Sequence, residues 1–143
     1  MYDNNITCLA EAVSIVSQLI FHHEFDSLIK VEFSSLMIVY YLRHDIDRKI
    51  INTSRFDRVH HFFGNFLSVL FSSEEELKRI NEAIHLLEDL KLISVNGDKI
   101  RICGDMRYLP SISFFENEYI CNTLVAIKSL SNKSFIEEVV CNV

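Results

Sequence analysis

With 143 residues, 49% of them hydrophobic, the chain is long enough to bury the core of one domain. Three glycines and one proline against 11 phenylalanines leave few turn formers, which argues for a mostly helical protein with few loops. A formal net charge of -6 argues against a nonspecific nucleic-acid binder, although it leaves room for a local basic patch.

No Lys or Arg precedes Lys30, so the N-terminus predicts no signal peptide. The apolar runs Ala12–Phe21 and Leu36–Leu42 are broken by polar residues and too short for a bilayer span of about 20 residues, so no membrane contact is expected. Cys8, Cys103, Cys121 and Cys141 lack CxxC spacing and read as reduced, buried thiols of a soluble cytoplasmic protein.

A first helix is expected from Asn5 to about His23. Ile6, Leu9, Val13, Val16 and Ile20 form one apolar stripe, and Cys8, Ala12, Ile15 and Leu19 nearly fill a second. A helix apolar on so much of its circumference is either buried centrally or shared with a partner. A second helix is read from about Phe33 to Arg43, with Phe33, Leu36, Met37, Tyr40 and Tyr41 on its apolar side. The connection 44–53 is charged at Asp45, Asp47, Arg48 and Lys49 and then apolar at Ile50 and Ile51, a pattern open to a helical turn or a strand. Ser54 and Asp57 start a third helix, in which Phe56, Val59, Phe63, Phe66 and Leu70 recur at helical spacing up to about Phe71.

Ser73 to Cys103 holds the clearest local pattern. Ser73 and Glu76 have capping-box spacing, and Glu74, Glu75 and Glu76 sit where the helix dipole favours negative charge. Leu77, Ile80, Ile84 and Leu87, widened by Ala83 and Leu90, form one apolar stripe; Lys78, Glu82, His85 and Asp89 form the opposite one. The period then becomes alternating around Asn96-Gly97, the pair a tight hairpin turn prefers. A two-residue loop there would pair Ile93 with Ile100 and Val95 with Asp98. Ile93, Val95, Ile100 and Ile102 would share one face, and Ser94, Lys99 and Arg101 the other. Helix, short turn, helix and hairpin is the winged-helix order.

Residues 104–115 read as irregular and hold the only proline, Pro110. A helix from about Glu116 to Leu130 follows, with Ile120, Leu124 and Ile127 inward. Ser134 and Glu137 are read as capping a short final helix that carries Phe135, Ile136, Val139 and Val140. The expected fold is mainly α with a small β-hairpin, winged-helix-like, with flanking N- and C-terminal helices. Residues 1-104 would form the core and 105-143 a helical extension of the same domain.

His22-His23 and His60-His61 are adjacent pairs whose members point in different directions on a helix. Asp57 lies near the second pair, but a chelate there needs a third ligand from elsewhere, so neither pair is read as a metal site. No nucleophile elbow or comparable catalytic motif occurs, and Glu74 to Glu76 are better explained by the helix dipole than by acid–base chemistry. The expectation is a protein without catalytic residues, cofactor or metal.

A winged helix invites a DNA-binding reading, as a transcriptional regulator. Over Ser73–Leu92, however, Lys78, Arg79 and Lys91 stand against Glu74, Glu75, Glu76, Glu82, Glu88 and Asp89. A helix of that sign suits the major groove poorly. Lys99 and Arg101 on the hairpin, with Arg107 beyond, are the better cations. Protein contact is therefore preferred, and the candidate partner or DNA contact surface is Lys78, Glu82, His85, Asp89, Lys99 and Arg101.

In order, Leu9–Ile20, the run LIKVEFSSLMIVYYLRHDIDRKI, the helix from Ser54 and INEAIHLLEDLKLISVNGDKIRI resemble the middle component of bacterial ABC-three-component systems, close relatives of the Lamassu anti-phage defence systems. Ala83, Leu86 or Leu87, Leu90, Leu92-Ile93, Asn96-Gly97 and Ile100 stand in the places of the family's "aLxxLxxxglL" pattern and hairpin. The resemblance covers about Asn5–Ile102. It lacks the family's Asn-Pro near the N-terminus and the glycine before the last leucines, where Asp89 and Lys91 sit. It implies a small non-catalytic subunit that associates with an SMC/Rad50-like coiled-coil ATPase and an effector, often a nuclease. The ATPase would engage DNA, and this chain would hold or restrain the effector.

Overall fold

The computed structural model describes residues 2–43, 74–105 and 118–141. Its elements in chain order are α1 (Tyr2–Phe21), α2 (Leu28–Arg43), α3 (Glu74–Asp89), β1 (Ile93–Asn96), β2 (Lys99–Ile102), α4 (Glu118–Ser129) and α5 (Asn132–Cys141). The chain is mainly helical with a small two-stranded antiparallel hairpin. The helix expected from Ser54, the connection before it, the cap at Ser73 and the stretch around Pro110 lie outside the described residues.

The core is arranged around α1. Every residue from Ala12 to Ile20 is buried, the polar Ser14, Ser17 and Gln18 included. Gln18 Nε2 donates to Ser14 Oγ at 3.0 Å and the Ser17 hydroxyl donates to the Val13 carbonyl, while Gln18 Oε1 is enclosed without a hydrogen-bond partner. α1 packs on α2 and α3, which cover its apolar surface from Ala12 to Ile20. Burying Ile15, Leu19 or Ile20 stabilises the fold by about 1.5–3 kcal/mol each.

α2 begins at Leu28, earlier than the expected Phe33. Val31 and all of Phe33 to Val39 are buried, Ser34 and Ser35 among them, so the single apolar side read from the sequence is too narrow. A helix enclosed nearly all round shows little amphipathic contrast along its sequence.

α3 buries Ile80, Ala83, Ile84 and Leu87, with Leu77 partly covered. Leu90 departs from the expected stripe and is 53% exposed. The helix closes before it: Lys91 N donates to the Glu88 carbonyl at 2.9 Å and Leu92 N to the Leu87 carbonyl at 3.0 Å. This is a Schellman end, with Lys91 in the left-handed region at φ 61, and it brings Leu92 rather than Leu90 against the core. Glycine normally fills that position because a Cβ is strained there. Lys91→Gly is therefore expected to raise stability by about 0.5–1 kcal/mol, read as a higher denaturant midpoint.

The hairpin pairs Ile93 with Ile102, Ser94 with Arg101, Val95 with Ile100 and Asn96 with Lys99. The expected pairing of Val95 with Asp98 is corrected by a shift of two positions, which leaves each side chain on its expected face. Gly97 and Asp98 are the turn, with Gly97 at φ 62 in the first central position, where glycine suits a II′ turn. Asp98, as the second turn residue, lies outside the ladder and its carboxylate is engaged elsewhere.

α4 and α5 add Leu124, Ile127 and Phe135 to the core shared with α1, α2 and α3. The Phe135 ring meets Phe33 edge-on at 5.2 Å and 86°, a favourable aromatic geometry. The cap of α5 is Ser131, three residues before the expected Ser134. Ser131 Oγ accepts from Ser134 N at 3.1 Å, which satisfies one of the amides a helix start leaves open.

Candidate functional site

All six candidate residues are exposed, on two separate elements. Lys78, Glu82, His85 and Asp89 line the face of α3 opposite its buried residues. His85 Nδ1 lies 3.5 Å from Glu88 Oε1, a pair that is ionic only when the imidazole is protonated. Arg79 is held 3.6 Å from Glu76 one turn earlier, so that cation is partly neutralised.

On the hairpin, Arg101 lies opposite Ser94 and its side chain is open to solvent. Lys99 is paired at the surface: its Nζ lies 2.6 Å from Asp26 Oδ2 in the α1–α2 connection. The hairpin thus offers fewer uncommitted cations than its composition suggests. Leu86 on α3 and Leu90 in the turn that ends it are 38% and 53% exposed, and Ile102 at the hairpin base is 51% exposed. Leu86 and Leu90 adjoin the polar stripe of α3, whereas Ile102 lies on the hairpin face opposite Lys99 and Arg101. The sequence reading did not single out Leu86 as exposed, although it lies next to Leu87 and off the buried stripe, and the Leu90 position depends on the Schellman end.

The hairpin tip makes the densest polar contacts among the described residues. The Asp98 carboxylate accepts from the Ser27 hydroxyl at 2.6 Å, Ile29 N at 2.9 Å and Asn132 Nδ2 at 3.0 Å. It acts as an N-terminal cap for α2 supplied by a distant part of the chain, where the helix dipole favours negative charge. Lys30, in the same turn of α2, is 7% exposed and donates to the Leu130 carbonyl and, at 3.4 Å, to the Lys128 carbonyl at the end of α4.

Three groups here titrate away from their ordinary values. The hydrogen bond from Lys99 lowers the Asp26 pKa. Burial, then the charges of His22 and Lys128, lower that of His23. Burial, then the negative charge of Asp98, raise that of Glu32. A raised carboxyl pKa means that the folded state favours the neutral acid. Glu32 therefore carries no penalty below its ordinary value of 4.5, and stability is lost as pH rises from there through the folded-state pKa. Glu32→Gln is expected to raise the melting temperature at pH 7 by a few degrees at most and to leave it unchanged near pH 4. Asp26 has the opposite sign, its pairing with Lys99 fading as acid protonates it.

No three His, Cys, Asp or Glu side chains are grouped to hold a metal among the described residues, and His60 and His61 lie outside them. Cys103 is exposed, correcting the expectation of buried thiols at that position, because it lies just past β2 where the chain leaves the core. No helix among the described residues is long and apolar enough to cross a membrane. No family model, curated protein or solved structure matches the chain.

Proposed function

We propose that this chain is a non-catalytic protein-binding subunit of a bacterial anti-phage defence complex in the cytoplasm. In that reading it is built on a winged-helix-like scaffold and bridges or restrains an effector nuclease on an SMC/Rad50-like ATPase. The observation that carries the protein-binding part is the outer face of α3. It presents Glu74, Glu75, Glu82 and Asp89 against the single cation Lys78, with His85, the exposed Leu86 and, just past the helix, Leu90. Carboxylates and leucines suit another protein's surface, whereas phosphate contact calls for cations and amides. The resemblance over Asn5–Ile102 supplies the identity of the partners, and DNA would be reached through the ATPase.

The direct test is a titration of the full chain into labelled duplex DNA between 50 and 200 mM salt. The subunit reading expects no specific complex at micromolar protein. A tight complex whose affinity falls steeply with salt would instead establish a DNA-binding regulator, since phosphate neutralisation gives that dependence.

A further inference from the structure

We propose that the hairpin tip is a clasp that couples the hairpin to the α4–α5 pair through the first turn of α2. The inference concerns how the fold opens and does not depend on the partners named above. One carboxylate joins three regions: Asp98 of the turn accepts from Ser27 and Ile29 at the start of α2 and from Asn132 at the start of α5. Backbone contacts reinforce the first junction. Leu28 N donates to the Asp98 carbonyl at 2.7 Å, Ile100 N donates to the Asp26 carbonyl at 2.8 Å, and Ser27 and Lys99 form an isolated β-bridge. Lys30 secures the second junction by donating to the last carbonyls of α4.

The start of α2 is thus held between the hairpin tip and the α4–α5 turn. When the tip lifts away, Ile29 N loses its acceptor and Asn132 loses its anchor in the same event. The packing of α1 against α3 through Ile15, Leu19, Ile80 and Leu87 lies in the apolar core, outside this set of hydrogen bonds. Local opening confined to such a contiguous set is how folded chains expose one unit while the rest stays closed. A partner that engages the hairpin tip would therefore change the exposure of α5, and one that engages α5 would change the hairpin, since coupling between sites is reciprocal.

Residue-resolved hydrogen exchange on the full chain tests the clasp. Asp98→Ala is expected to speed exchange by about tenfold or more at Ile29, at Ile100 and at the α5 amides from Phe135 onward, as loss of hydrogen bonds to a charged group implies. The amides of Ile80 to Leu87 in α3 should keep their wild-type rates. Asn132→Ala removes one arm from the other side and leaves the turn sequence intact. It should speed exchange at Ile100 as well as in α5. An Asp98→Ala effect that stops at α2 and the hairpin would overturn the proposal. So would an Asn132→Ala effect confined to α5, or α3 amides accelerating as much as those of α5 in both variants.

Discussion

Replacing Phe135 with alanine should destabilise the chain by about 3–5 kcal/mol, seen as a melting temperature lower by about 10 °C. Phe135 is fully buried, and its ring meets Phe33 edge-on. Its removal takes away apolar burial, leaves a cavity between α5 and α2, and forfeits the aromatic pair. The neighbouring Ile136 is 44% exposed, so Ile136→Ala should change stability by no more than about 0.5 kcal/mol. Equal effects at the two positions would mean that α5 does not pack on α2 through this face.

The second large effect is expected at Lys30. Lys30→Met keeps an unbranched apolar stem at this buried position but removes the donor to the Lys128 and Leu130 carbonyls. Two opposing effects then compete. The acceptors at the end of α4 lose their partner, which costs about 1–3 kcal/mol when such groups are enclosed. Against that, an ammonium no longer has to be desolvated. With the Lys30 residue almost wholly buried but its acceptors on the exposed Lys128 and half-buried Leu130, the expected change is a destabilisation of about 1 kcal/mol in urea unfolding. A methionine variant as stable as the wild type would show that desolvation offsets the whole gain.

These two residues also mark what the sequence could and could not disclose. The α3 stripe and the hairpin faces were legible because their causes are local: Ile80, Ala83, Ile84 and Leu87 share a helical period, and Ile93, Val95 and Ile100 alternate around Gly97. The hairpin register was not, because Gly97 takes the first central position of the turn rather than the second, and the partners of Asp98, Ser27 and Ile29, stand 71 and 69 positions away. The same cause hid the start of α2. Leu28 to Glu32 mixes apolar and charged residues, and its additional cap comes from the hairpin.

On the candidate surface, the polar stripe of Lys78, Glu82, His85 and Asp89 followed from being opposite the apolar one. Two features escaped that logic. Lys99 looked like a free cation until the fold brought Asp26 beside it, and Leu90 looked like core until the left-handed Lys91 ended the helix. The breadth of the apolar surface on α1 pointed equally to central burial and to a partner, and the fold places that helix in the centre of the core.

Affinity capture of the tagged full chain from cells expressing its native operon, followed by mass spectrometry of the purified assembly, addresses the central claim most directly. The proposal predicts recovery of a large coiled-coil ATPase and an effector nuclease at fixed stoichiometry, lost when Leu86 and Leu90 are both changed to aspartate. Recovery of the chain alone, as a dimer that shifts a DNA fragment, would contradict it.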